Sequence, residues 1–461
     1  MSLPKYAEYK DSGLEWLGPV PVHWLVKRFR FVAQLNPSKA ELVTQDRNTE
    51  VSFLPMEAIG DDGSLNLERT RPLSEVEAGY TYFRDGDVAL AKITPCFENG
   101  KGAVMHGLRG GIGFGTTELI IARPRASEVT GPLLNWIFRS PIFRKQGEAS
   151  MYGAGGQKRV PDDFVRNFVW AFPPLAEQIG VAAFLDRETA KIDALIAEQE
   201  KLVTLLAEKR QATISHVFTR GLRPNPSMKS SGVAWLGEVP AHWNVRKIGR
   251  DVDVLPGFAF PSSRFSLDDS NIKLLRGLNV GVGALRWEEV VYWDPITADG
   301  LESFELCSGD IVLGMDRPWI AGGLRVARVS EVDTPCLLVQ RVAALRIHGE
   351  LHPDYLLLAL QTGYFYDHCF PEMTGVSVPH ISPEQIRSFT VPVPPIDEQL
   401  EIAAFVSGEG AKLEALSIQA QRSIELLKER RCALITAAVT GQIDVRGVAT
   451  QSPAQAEPVA A

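Results

Sequence analysis

Between Arg139 and Arg159 the chain sets five cations, Arg139, Arg144, Lys145, Lys158 and Arg159, against one acid, Glu148. Gly153, Gly155 and Gly156 lie between them, and Gln157 follows. A glycine loop ending in Gln-Lys-Arg can bring side chains and backbone N–H groups onto phosphates or base edges. A second run, from Lys92 to Lys101, offers Lys92, Thr94, Asn99 and Lys101 as donors. Both runs have counterparts later in the chain. The segment Thr374 to His380 carries Ser377 and His380, and a stretch from Arg317 carries Trp319, Arg325 and Arg328. Strand-end loops with such donors suit the reading of bases; a plain solvated surface accounts for them equally well.

Signatures of catalysis are missing. Asn99-Gly100-Lys101-Gly102 has the lysine of a phosphate loop without the rest of it. Gly111, Gly113 and Gly115 are spaced as turn glycines rather than as a dinucleotide fingerprint. Phe172-Pro173-Pro174-Leu175 only looks similar to the Asn-Pro-Pro-aromatic motif of an amino-methyltransferase. His348 and His352 are four apart, but Pro353 argues against a zinc-binding helix there. Asp162-Asp163 lacks the acid-x-Lys pair of a nuclease and reads as a helix start. The five cysteines are scattered with no CxxC, which indicates neither a disulfide framework nor a zinc site. The chain is therefore expected to hold no metal and no cofactor.

The elements that carry these loops are written twice. Residues 12–26, SGLEWLGPVPVHWLV, and 231–245, SGVAWLGEVPAHWNV, agree at ten of fifteen positions. Residues 173–184, PPLAEQIGVAAF, return as PPIDEQLEIAAF at 394–405. The paired Trp16/Trp235 and Trp24/Trp243 read as an apolar lid where the chain enters each domain. Glycine-rich stretches follow, with short apolar runs such as 88–90, 119–121, 311–313 and 337–339 expected to be strands. Gly86-Asp87 and Gly309-Asp310 supply the turns before two of them. One helical patch is expected over 132–146 and another over 353–367. Each Pro-Pro pair then announces a long helix. Its Glu-Gln can be a partner-docking surface or a plain helix start. From Ala176 to about Thr219 there is no proline and only Gly180 as glycine. Ile192, Leu195, Leu202 and Leu206 form a stripe, and Leu413, Leu416, Leu427 and Leu434 keep the same register, with Gln199 and Ser423 as polar interruptions. A helix of roughly 65 Å, at ~1.5 Å per residue, needs a partner for that stripe, and the other copy's helix is the obvious one.

The fold class expected is α+β: two mixed α/β domains and two long helices paired as a coiled coil, with an internal pseudo-twofold repeat. The domains would span 1–172 and 223–392, the helices 173–222 and 393–446, and residues 447–461 a disordered tail. At 461 residues with 45% hydrophobic content, the chain can fill several cores. No run approaches the ~18 apolar residues of a membrane span, no leader is evident, and the cysteine usage fits a reducing cytoplasm. The net charge of −8 argues against simple nucleic-acid binding, but it is uneven: near neutral over 1–172 and −6 over 228–392.

The arrangement resembles the specificity subunit of a Type I restriction–modification system over the chain up to about Arg446. The motifs that carry it are Ser-Gly-x-x-Trp-Leu-Gly-x-x-Pro-x-x-Trp at 12–24 and 231–243, and Pro-Pro-x-x-Glu-Gln at 173–178 and 394–399. The run at 92–101 and Gln157-Lys158-Arg159 are also similar to stretches of that family. The resemblance implies two target-recognition domains, each reading half of a split site in double-stranded DNA, two long helices in an antiparallel coiled coil that sets the unread gap, and no catalytic residue in this chain itself. Modification subunits, two of them, would supply S-adenosylmethionine and methylate adenine. Restriction subunits would translocate and cleave. The DNA-binding residues it points to are Lys92, Thr94, Asn99, Lys101, Arg144, Lys145, Gln157, Lys158, Arg159, Arg317, Arg325 and His380. In the second copy Val378-Pro379-His380 stands where the first has Gln157-Lys158-Arg159. Two other readings are a helical scaffold that docks proteins without DNA, and a self-contained nuclease or methyltransferase, which the missing motifs disfavour.

Overall fold

The computed structural model describes residues 3–153, 156–294, 300–373 and 378–447. It divides into two compact units, residues 1–200 with 422–461, and residues 201–421. The expected disordered tail falls almost wholly at 448–461, outside the described residues.

The centre of unit 1 is an antiparallel four-stranded sheet in the order Ala33–Leu35, Leu119–Pro124, Val88–Ala91, Gly102–Val104. Its two central strands are apolar on both faces because they separate two cores. Val88, Leu90, Ile120 and Ala122 face the helical side, while Ala89, Ala91, Leu119 and Ile121 face the other core. Unit 2 repeats this sheet in the same order, Val252–Pro256, Val342–Ile347, Ile311–Gly314, Val326–Arg328. Its alternation also matches, with Ile311 and Leu313 on one side and Val312 on the other. The second sheets differ. Unit 1 has four strands in the order Thr70–Pro72, Glu50–Leu54, Ile112–Gly115, Thr81–Arg84. Unit 2 has three, in the order Tyr292–Trp293, Ile272–Leu275, Cys336–Leu338. Each contains one parallel pair.

The expected helical patches are each two helices rather than one. Gly131–Arg139 and Pro141–Ser150 meet at Ser140, which is extended because it precedes a proline and whose hydroxyl caps Phe143 N. In unit 2, Pro353–Gln361 and Gly363–Cys369 meet at extended Thr362.

The long helices span Leu175–Arg220 and Ile396–Val439. Each unit holds a half of both, running antiparallel. In unit 1, Trp170, just before the first helix, donates to the Val439 carbonyl at 3.1 Å, and Arg431 Nε lies 2.8 Å from Asp193. In unit 2, Ile214, Val217 and Phe218 share a core with Ile402. The apolar stripe is only partly covered. Ile192, Leu206 and Leu413 are buried, whereas Leu195, Leu202 and Leu416 are exposed. Among the described residues no helix is long and apolar enough to cross a membrane.

The two repeated motifs meet each other in both units. Trp24 is fully buried, and its indole N–H donates to Glu177 at 2.8 Å; His23 Nε2 lies 2.8 Å from the other carboxylate oxygen. Trp243 and His242 hold Glu398 the same way, at 2.6 and 3.0 Å. The neighbouring glutamines complete each latch. Gln178 spans the Pro173 and Glu128 carbonyls and Thr130 N; Gln399 spans the Pro394 and Glu350 carbonyls and His352 N. These Glu-Gln pairs lie in the first turns of the long helices, as a helix start requires, but they are buried and close the domain, which leaves no partner-docking surface there. The latches also receive the far helix ends. Gly441, at φ +71°, closes the second long helix against Pro21 and Trp24, and Gly221, at φ +73°, closes the first against Trp243. A glycine takes this left-handed turn without the Cβ penalty.

Candidate nucleic-acid interface

In unit 1 the two loops singled out from the sequence lie side by side. The strand Val88–Ala91 delivers the loop that begins at Lys92; the segment 156–160 leads into the short helix Asp162–Asn167. Two backbone hydrogen bonds join them, Thr94 N to the Lys158 carbonyl at 3.0 Å and Val160 N to the Lys92 carbonyl at 2.9 Å. In unit 2 the same ladder recurs. Arg317 N donates to the Pro379 carbonyl at 2.7 Å and Ile381 N to the Met315 carbonyl at 3.0 Å. Ile93 bridges Arg159 in one unit as Asp316 bridges His380 in the other.

The twelve candidate residues divide into those turned to solvent and those tied within the fold. Asn99, Lys145, Gln157, Lys158 and Arg317 are exposed. Lys92 is half-buried, with its ammonium 4.0 Å from Asp162. Thr94 Oγ1 reaches Glu98 and the Lys158 carbonyl, both at 3.3 Å. Lys101 lies under the loop, with Nζ 3.3 Å from the Met56 carbonyl and 3.7 Å from Asp61. Arg144 crosses beneath Gly100 and donates to the Glu98 carbonyl at 3.0 Å. Arg325 is spent on the Val280 and Asp316 carbonyls, each at 3.0 Å, and its burial lowers its pKa. These last three brace the loops from inside, which their residue type did not reveal. Of the other cations, Arg328 pairs with Asp354 and Arg139 stacks over Trp136. Ser377 lies outside the described residues.

Two candidates are held by acids that the sequence reading passed over. Arg159 forks onto Glu118, Nε at 2.9 Å and Nη2 at 2.7 Å. The Arg159 hydrogen bond holds the Glu118 carboxyl below its ordinary pKa, and Glu118 raises that of Arg159. His380 Nδ1 lies 2.6 Å from Asp316 Oδ1, and Arg341 Nη1 lies 3.6 Å from the same oxygen. Glu118 sits one residue before a strand and Arg341 one residue before the equivalent strand. Aligning the two copies there, rather than only at their conserved ends, exposes the pair.

Residues 301–425 match the sequence model of the Type I restriction modification DNA specificity domain. The chain is 30% identical to the Type I restriction enzyme EcoAI specificity subunit of Escherichia coli, over 82% of this chain and 76% of that one. Its fold is shared with a chain from a structure of the complex assembly and conformational transition of the type I R-M system, at TM-score 0.68 and 19% identity, covering 91% of this chain and 98% of that one. The crystal structure of the HsdS subunit from Thermoanaerobacter tengcongensis matches at TM-score 0.58 and 20% identity, covering 92% and 98%.

Proposed function

We propose a division of labour for this chain, which belongs to the family of Type I restriction enzyme specificity subunits. It is the non-catalytic, DNA-specificity component of a Type I restriction–modification complex, working with DNA and with modification and restriction subunits. In our reading, residues 1–172 and 223–392 are target-recognition domains that each take one half of a split, asymmetric site. The segments 173–222 and 393–446 form the spacer. Two modification subunits bring the methyl donor and act on adenine, and the complex works in the cytoplasm.

One observation supports this reading above the rest: both units present the same two-loop ladder with different side chains upon it. Unit 1 offers Asn99, Lys145, Gln157 and Lys158, and unit 2 offers Arg317 beside His380. Equal backbones with unequal donors read unequal half-sites. Phosphate contacts set the position of each face, and base-edge contacts set its sequence. An acidic subunit binds DNA weakly alone, so the modification subunits supply charge and enclosure, and affinity falls steeply with salt.

The test is single-molecule methylome sequencing of cells expressing this chain with its modification subunit, against a deletion of this gene. A split adenine motif that disappears on deletion is the expected result. A stable protein complex with no motif would favour the helical scaffold. The spacer has its own test. Four residues inserted between Ile192 and Leu206 add ~6 Å of helix. The unread gap then grows by about two base pairs at ~3.4 Å each; an unchanged gap would remove the helices from that role.

A further inference from the structure

Glu118 and Arg341 occupy the same place in the two units. Each gives its carbonyl to the first residue of the strand-end loop, Glu118 to Lys92 N and Arg341 to Met315 N, both at 2.9 Å. Glu118 also sends its side chain to the second loop's anchor, whereas Arg341 sends its own to Asp316 of the first loop. Glu118 takes the Arg159 fork directly. Arg341 faces Asp316, which holds His380. Glu118 thus ties both loops itself, Arg341 reaches the second only through the Asp316–His380 pair, and the charge at that position is inverted between the units.

We propose that Glu118 and Arg341 are positioning residues that set the geometry of the two reading faces, a role that rests on the DNA-reading function proposed above. Glu118 is only 24% exposed at its side chain and is engaged by Arg159. An anion beside a DNA-binding loop opposes phosphate, and both carboxylate oxygens are already taken by Arg159, so its presence there calls for a reason other than contact with DNA. Fixing Arg159, and through it Gln157 and Lys158, supplies one. The backbone ladder and the Thr94 Oγ1 contact to the Lys158 carbonyl survive without the carboxylate, but Arg159 is then free to swing.

The prediction separates selectivity from affinity. The Glu118→Gln subunit, assembled with its modification subunits, is tested on duplexes carrying the methylome motif, with either half-site or both scrambled. Discrimination at the first half-site should fall about tenfold, and at the second it should not change. Binding to the doubly scrambled duplex should hold or tighten, because a negative charge is gone. The exchanged pair Glu118→Arg with Arg159→Glu should restore discrimination to within about threefold. Arg341→Gln should relax the second half-site alone. Undiminished discrimination in Glu118→Gln, an equal loss on every duplex, or failure of the exchanged pair to restore it would each overturn the proposal. Hydrogen exchange of the DNA-free complex keeps this distinct from the DNA-reading role. Amides of 92–101 and 156–160 should exchange faster in Glu118→Gln, and unchanged exchange refutes the clasp itself. If the wild-type complex discriminates no duplex while those amides do loosen, the DNA-reading role fails and the clasp stands.

Discussion

Unit 1 and unit 2 agree where the domain meets the helices and part where the loops face outward. The latches match atom for atom in their logic, with Trp24 and His23 on Glu177 and Trp243 and His242 on Glu398. Even there the third partner differs: Tyr6 for Glu177, Arg223 for Glu398. Further out the divergence grows, from a four-stranded second sheet against a three-stranded one to a clasp whose charges are inverted. A duplicated chain that keeps its closure and alters its outer face has separated the residues that hold a domain from those that make it unlike its copy.

That separation can be broken from the inside. Trp24→Ala empties a fully buried indole and orphans Glu177, and should destabilise unit 1 by roughly 3–5 kcal/mol. Hydrogen exchange should show the loosening in residues 3–200 and 422–447, with unit 2 protected as before. Equal loosening of both units would mean that the latches are not independent. A smaller difference comes from the helix ends. A Cβ at Gly441 would lie 2.4 Å from Pro21 Cδ, and one at Gly221 2.9 Å from Trp243. Both sit at positive φ, so Gly441→Ala and Gly221→Ala should each cost about 1–3 kcal/mol in thermal unfolding, Gly441→Ala the more.

Changes at the loops should move binding and not folding. Lys158→Ala should weaken binding to all sequences and lower the salt slope by about 1, leaving the second half-site preference intact. Arg317→Ala, if that side chain reads a base, should cost about 1–3 kcal/mol and blur the second half-site alone. A crossed result would overturn the assignment of one half-site to each unit. The smallest effect expected is that of acid. Burial alone would raise the pKa of Glu398, but the Trp243 indole, His242 and Arg223 outweigh it and hold the group below its ordinary 4.5. A depressed folded pKa contributes stability above the unfolded value, and that contribution is lost as pH falls through the folded one. Melting followed from pH 6 to pH 3 should therefore show the Glu398→Gln protein less sensitive to acid than the wild type.

Much of this architecture was legible in the chain. The proline pairs marked where both long helices begin to within two or three residues, since nothing after them breaks a helix for over forty positions. The runs at 88–90 and 311–313 fell in strands because a segment apolar on both faces has to divide two cores. What stayed hidden was long-range. Trp24 and Glu177 are both in repeated motifs, yet nothing local says that they touch across 153 positions. Ser140 and Thr362 interrupt helices that apolar periodicity alone runs together. At the loops, residue type could not tell Lys158, which faces solvent, from Lys101, which is turned under the loop onto the Met56 carbonyl.

The latch has a consequence for inheritance. Its imidazole and indole come from residues 23 and 24, and its carboxylate and amide from residues 177 and 178, so most of the first mixed α/β domain lies between them. A cassette bracketed in this way can be replaced by another of unlike sequence, provided that both borders are kept. The repeated borders at 231–245 and 394–405, which keep the same latch residues, offer a second socket in the same gene. New outer faces can then arise by exchange of whole segments, with the closure inherited unchanged.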